Sequence, residues 1–129
     1  MARATRSITV LFAAGLALAG CANGGESLLT VQKTSLGAVL ADPGGMTLYT
    51  LKTDPDGRSE CYGRCAATWP PALAPDGLEP SGRVGIVTRN DGKRQLAYEG
   101  RPLYGWTKDA RPGDVTGHNV GEVWLVARP

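Results

Sequence analysis

Gly45-Met46-Thr47-Leu48-Tyr49-Thr50-Leu51-Lys52-Thr53-Asp54 returns fifty-five residues later as Gly100-Arg101-Pro102-Leu103-Tyr104-Gly105-Trp106-Thr107-Lys108-Asp109. At the same offset Gly37 falls on Gly92, and Trp69 falls on Trp124. The chain has only three Trp and four Tyr. One Trp pair and one Tyr pair in register therefore mark two copies of a single supersecondary unit. A unit of this size rarely buries its apolar face alone, so the copies are expected to share a core.

Each copy reads as a β-meander. In the second, Gly85 to Thr88 is a short strand and Asn90-Asp91-Gly92 a strong turn signal. Gln95 to Tyr98 pairs back, Glu99-Gly100 turns again, and Leu103 to Trp106 is expected as a third strand. The first copy matches with Leu29 to Lys33, Ala38 to Ala41, a Pro43-Gly44-Gly45 turn and Thr47 to Leu51. Val123 to Ala127 is expected to close the second copy, whereas Pro70-Pro71 is expected to stop the equivalent strand after Trp69. Strand alternation puts Tyr49 with Leu51, and Tyr104 with Trp106, on one face; Leu48 and Leu103 point to the other. Both faces are apolar, so these strands should be covered on both sides. The expected fold is all-β: two tandem β-meander repeats sharing one core with approximate two-fold pseudo-symmetry. Repeat one covers about 28–71, a Pro-rich linker about 72–82, and repeat two about 83–129.

The first twenty residues are read as a leader outside this fold. Arg3 and Arg6 precede an apolar run from Ile8 to Ala19, too short to span a bilayer but right for a signal peptide. Leu18-Ala19-Gly20-Cys21 ends it, small residues leading to a cysteine. This resembles the bacterial lipobox, which implies that Cys21 carries fatty acyl chains such as palmitate. The protein would then be extracytoplasmic, anchored to the bacterial cell membrane or outer membrane. Ala22 to Ser27 is small and polar, so residues 21–27 form a short tether.

The formal charge of +2 includes Arg3 and Arg6, so the mature part is neutral. Its basic residues are interspersed with Asp and Glu. Nucleic acid is not expected as a partner, since that binding rests on clustered positive charge. Eighteen Gly and nine Pro fit many turns and short strands.

With Cys21 used by the lipid, Cys61 and Cys65 remain as a pair in an oxidising compartment. Helical geometry would hold their Cβ atoms about 5–6 Å apart, whereas a disulfide needs about 3.8 Å. Cys61-Tyr62-Gly63-Arg64-Cys65 should therefore be a turn, with Gly63 supplying unusual backbone angles. Cys65 to Trp69 is expected to make one helical turn.

Tyr49-x-Leu51-x-x-Asp54 and Tyr104-x-Trp106-x-x-Asp109 resemble the Tyr-x-aromatic-x-x-Asp signature of a family of predicted bacterial lipoproteins, described as a secreted repeat of unknown function. The likeness extends to Cys61-x-x-x-Cys65-Ala-x-x-Trp69-Pro70-Pro71 and to Gly121-x-Val123-Trp124. Leu51 departs from it, standing where an aromatic belongs. The resemblance implies location and architecture but no activity.

Three constellations carry candidate chemistry. The Tyr/Trp/Asp motif would serve either as a stacking platform for a ligand or, the favoured reading, as repeat core with each Asp fixing the following turn. Asp54-Pro55-Asp56-Gly57 reads as a turn rather than a calcium loop. Cys61, Cys65 and the lone His118 are a candidate copper set, set against the favoured disulfide without metal or other cofactor. No nucleophile elbow, phosphate loop or second His is present. The expectation is a non-enzymatic binding or structural module, contacting a wall polymer, a small ligand or another envelope protein. The alternative is redox or copper handling.

Overall fold

The computed structural model describes residues 28–129; the expected leader, Cys21 and the tether lie outside the described residues. The chain runs through β1 (Thr30–Thr34), β2 (Gly37–Ala41), β3 (Tyr49–Leu51), the helical turn α1 (Arg64–Thr68), β4 (Val84–Thr88), β5 (Arg94–Tyr98), β6 (Arg101–Pro102) and β7 (Trp124–Val126). All the pairings are antiparallel. The fold is all-β apart from the short helical turns, as the period-two apolar pattern requires. Each copy is a meander: β1 pairs with β2, and a bridge from Ala41 to Thr47 leads into β3. In the second copy β4, β5 and β6 form one sheet.

The copies meet at Tyr49 and Tyr104. The Tyr49 N–H donates to the Tyr104 carbonyl at 2.8 Å, and the Tyr104 N–H returns the bond at 2.9 Å. A two-fold axis between two equivalent residues produces this reciprocal pair. Around it the closing segments cross over. β7 of the second copy pairs with β3 of the first, Tyr49 facing Val126. Its counterpart in the first copy, Pro71, faces Tyr104.

That second crossing corrects one expectation. Pro70-Pro71 does not end the closing segment. Residues 71–74 run alongside the second copy, with the Ala72 N–H on the Leu103 carbonyl, the Ala72 carbonyl accepting from Leu96, and the Ala74 N–H on the Arg94 carbonyl. Only alternate residues donate in such a pairing, and the prolines occupy positions where no N–H is needed. The expected third strand over Leu103 to Trp106 also lies elsewhere. β6 stops at Pro102, because from Tyr104 onward the backbone turns from its own meander to Tyr49 and Pro70 of the first copy. Finally, the offset of fifty-five slips inside the hairpins. Thr34 pairs with Gly37 across two residues, whereas Arg89 and Lys93 bond across three. Lys93, not Gly92, is thus the counterpart of Gly37.

The strands carry a layer on each face. An aromatic layer gathers Tyr49, Leu51, Trp69, Tyr104 and Trp124 with Val39 and Cys61. A leucine layer on the other face joins Leu40, Leu48, Leu96 and Leu103 with Ala127. Adjacent residues divide between layers, Val39 from Leu40 and Tyr49 from Leu48, as alternation dictates. Leu48, Tyr49, Trp69, Leu103, Tyr104 and Trp124 are all buried. Both copies contribute to each layer, so there is one shared core.

Candidate functional site

The repeat motif forms the axis of the molecule. Trp69 and its equivalent Trp124 stack across the two-fold with centroids 3.9 Å apart and planes 5° from parallel. Tyr49 meets Trp69 edge-on at 5.4 Å, and Tyr104 meets Trp124 edge-on at 5.1 Å. Trp106, half-buried, stacks on the outer face of Trp69 at 3.9 Å. Its counterpart Leu51 is buried opposite Trp124 in the β3–β7 ladder. Four of these rings are enclosed, so they make packing rather than a surface for a ligand.

The tyrosine hydroxyls cross the axis too. Tyr49 donates to Asp109 Oδ2 at 2.7 Å, and Tyr104 donates to Asp54 Oδ2 at 2.5 Å. Each motif tyrosine is therefore held by the aspartate of the other copy. Each aspartate also fixes the turn that follows it. Asp54 accepts the Glu60 N–H at 2.8 Å, and Asp109 accepts the Thr116 N–H and hydroxyl at 3.0 and 2.6 Å. Burial raises the pKa of both tyrosines, reinforced by the carboxylate each one faces. Burial also lifts the Asp54 carboxyl, against the lowering effect of the Tyr104 and Glu60 donors.

Around Tyr104 the two copies together build a buried network. Ser59 Oγ lies 2.6 Å from the Tyr104 hydroxyl and accepts from Arg89 at 3.0 Å. Arg89 also donates to Gln95 Oε1 at 2.8 Å and to the Cys61 carbonyl at 2.6 Å, and its guanidinium lies over the Tyr62 ring. At the equivalent station Tyr49 accepts only the Gly117 N–H, and Gly117 sits against the rings of Tyr49 and Trp69. Ser59, Arg89, Gln95 and Gly117 carried no signal in the sequence, since none recurs at the repeat offset.

Cys61 and Cys65 are joined as a disulfide, with Cα atoms 5.3 Å apart. The bond ties the loop to α1, and Gly63 enters the helix at φ 57°, a conformation that favours glycine. His118 belongs to another part of the structure. Its Nδ1 accepts the Val126 N–H at 3.1 Å. Among the described residues no three His, Cys, Asp or Glu side chains gather to hold a metal.

Among the clefts that open on the leucine layer, two are counterparts of one another. The first, about 360 Å³, has Leu48 and Ala72 in its wall; the second, about 370 Å³, has Leu103 and Ala127 in the same places. The rims have diverged. Where the first presents Pro43, Leu73 and Gly105, the second presents Glu99, Arg128 and Thr50, and it adds Arg101 and His118. One cleft is proline-lined and largely apolar, with Asp42 as the charged residue in its lining. The other is charged.

The repeat detected by geometry is also a repeat by descent. A family model described as a secreted repeat of unknown function matches residues 30–73 and again 85–128. The chain belongs to this Lipoprotein_15 family. The two matches end on Leu73 and Arg128, the counterparts that separate the apolar cleft from the charged one. Being described as secreted, the Lipoprotein_15 repeat is extracytoplasmic. No curated protein and no solved structure matches the chain.

Proposed function

We infer that this is a lipid-anchored cell-envelope protein that works by binding, without catalysis, through the paired clefts. The observation that carries this reading is the divergence of two equivalent clefts over a common core. The motif residues Tyr49, Asp54, Tyr104 and Asp109 bond to one another across the axis and serve the scaffold. The rims contribute little to the core, and on them the two equivalent clefts differ. A rigid scaffold with variable rims is how a binding module is built.

The anchor agrees with this geometry. Leu28, the first described residue, lines the apolar cleft. A tether from Cys21 to Leu28 spans at most about 25 Å, so the lipid would hold the apolar cleft near the bilayer. Fatty-acid labelling of the protein and of Cys21→Ser tests the anchor; label retained in the variant refutes it. The binding reading is tested on the unlipidated Cys21→Ser protein by recording amide spectra with solubilised wall fragments and envelope lipids. Shifts concentrated on the two clefts support it. Shifts absent throughout overturn it.

A further inference from the structure

The charged cleft is cationic once its partners are counted. Glu99 is matched from outside the cleft by Arg83, 3.5 Å away. Arg128 donates from one guanidinium nitrogen to the Leu36 carbonyl at 2.8 Å and the Ala38 carbonyl at 3.3 Å. These bonds position its head but leave its charge unmatched. The Arg101 side chain is half-buried, and no side-chain hydrogen bond or ion pair holds it among the described residues. Its charge is felt by the Asp54 carboxylate, which accepts from the Tyr104 hydroxyl and the Glu60 N–H; those neutral donors leave that carboxylate to offset part of the Arg101 charge, and Arg128 keeps the cleft cationic. Because Nδ1 of His118 accepts from Val126, the neutral imidazole carries its proton on Nε2 and keeps a donor to offer.

The wall beneath is apolar, made by Leu103, Leu125, Val126 and Ala127. A cleft with two cations and an imidazole donor over such a wall matches a ligand with an anionic head and an apolar body. Its size sets the scale. At about 370 Å³ the cleft is at the small end of ligand pockets.

We propose that the cleft between Thr50, Leu125 and Arg101 binds a small anionic amphiphile, its carboxylate or phosphate head at Arg101 and its tail along Leu103 and Leu125. The proposal deepens the binding reading and rests on it. The duplicated cleft is the internal control, since it has the same leucine–alanine wall but no arginine in its lining, with Leu73 where Arg128 stands and Asp42 on its rim.

Decanoate, at twelve non-hydrogen atoms, is the probe. Below its micelle concentration it is titrated into the unlipidated Cys21→Ser protein while amide spectra are recorded, beside decanol and acetate. Decanoate should saturate with shifts at Thr50, Leu103 and Leu125. Decanol, lacking the charge, and acetate, lacking the tail, should each bind at least about tenfold more weakly. Arg101→Gln should weaken decanoate about tenfold and leave the protein folded, since the Arg101 side chain makes no hydrogen bond in the fold. Equal affinity for decanol, shifts centred on Ala72 and Leu73, or an unaffected Arg101→Gln protein would each overturn the proposal. The comparison of the three probes on unsubstituted Arg101 stands even if that variant fails to fold. If decanoate leaves the cleft unmoved while envelope fragments still shift it, the ligand class is wrong and the binding reading survives; if neither moves it, both are wrong.

Discussion

The exchange of tyrosine and aspartate between copies makes a sharp prediction. Tyr49→Phe keeps the ring against Trp69 and removes the hydroxyl that donates to Asp109 at 2.7 Å and accepts the Gly117 N–H at 3.2 Å. Tyr49 and Asp109 are both buried, so water does not replace the lost donor. A hydrogen bond to a charged partner contributes about 1.5–3 kcal/mol. In urea that loss moves the unfolding midpoint down by about 1–2 M with an unchanged slope. Fluorescence is a suitable probe, because all three Trp sit in one stack that exists only in the folded state. The decisive arrangement is a pair of double-mutant cycles. Tyr49→Phe combined with Asp109→Ala should show a coupling of about 1 kcal/mol or more. Combined with Asp54→Ala, the aspartate of its own copy, it should be additive within about 0.5 kcal/mol. Coupling to Asp54 rather than Asp109 would refute the exchanged arrangement.

Three further outcomes follow from the same core. Tyr49 and Tyr104 have pKa values raised by burial, so folding favours their neutral form; that contribution is complete below about pH 10 and is lost as pH rises above it. Two such groups give an alkaline loss of about 2.7 kcal/mol per pH unit, and phenolate absorbance should show both ionising together with unfolding rather than before it. Gly117→Ala places a Cβ 2.8 Å from Trp69 and 2.9 Å from Tyr49, inside a ring stack that cannot yield. It should cost about 1–3 kcal/mol, read as a Tm several degrees lower, and an unchanged Tm would show the stack to be looser than described. Removing the disulfide with Cys61→Ala and Cys65→Ala should cost about 2 kcal/mol by loop-closure entropy for a five-residue ring. The variant should still fold, because the corresponding loop from Thr116 to Val120 has no sulfurs; titratable thiols in exported protein would contradict the staple.

Much of the architecture was legible before any coordinates. The duplication, the hairpin at Asn90-Asp91-Gly92, the short helix before Trp69 and the burial of both Tyr–Leu pairs are written locally, in alternation, turn residues and register. Strand period two assigns each side chain to a face whatever the partner strand is. The prolines after Trp69 misled for a related reason: a proline announces that it cannot donate, but not whether its position in a pairing requires a donor. Equivalence by offset says that Tyr49 and Tyr104 do the same work. It does not say in which copy each finds its aspartate. Those bonds join residues sixty and fifty apart, and they depend on how two copies close around an axis. The clefts are likewise tertiary. Leu103, Leu125, Arg101, Arg128 and His118 form no motif in the chain, because the crossing of β7 onto β3 is what brings them together. Sequence alone thus determined the repeat and the faces of its strands, since alternation and turns act between near neighbours. Tertiary packing decided partners and binding surface, since these arise only where distant segments meet.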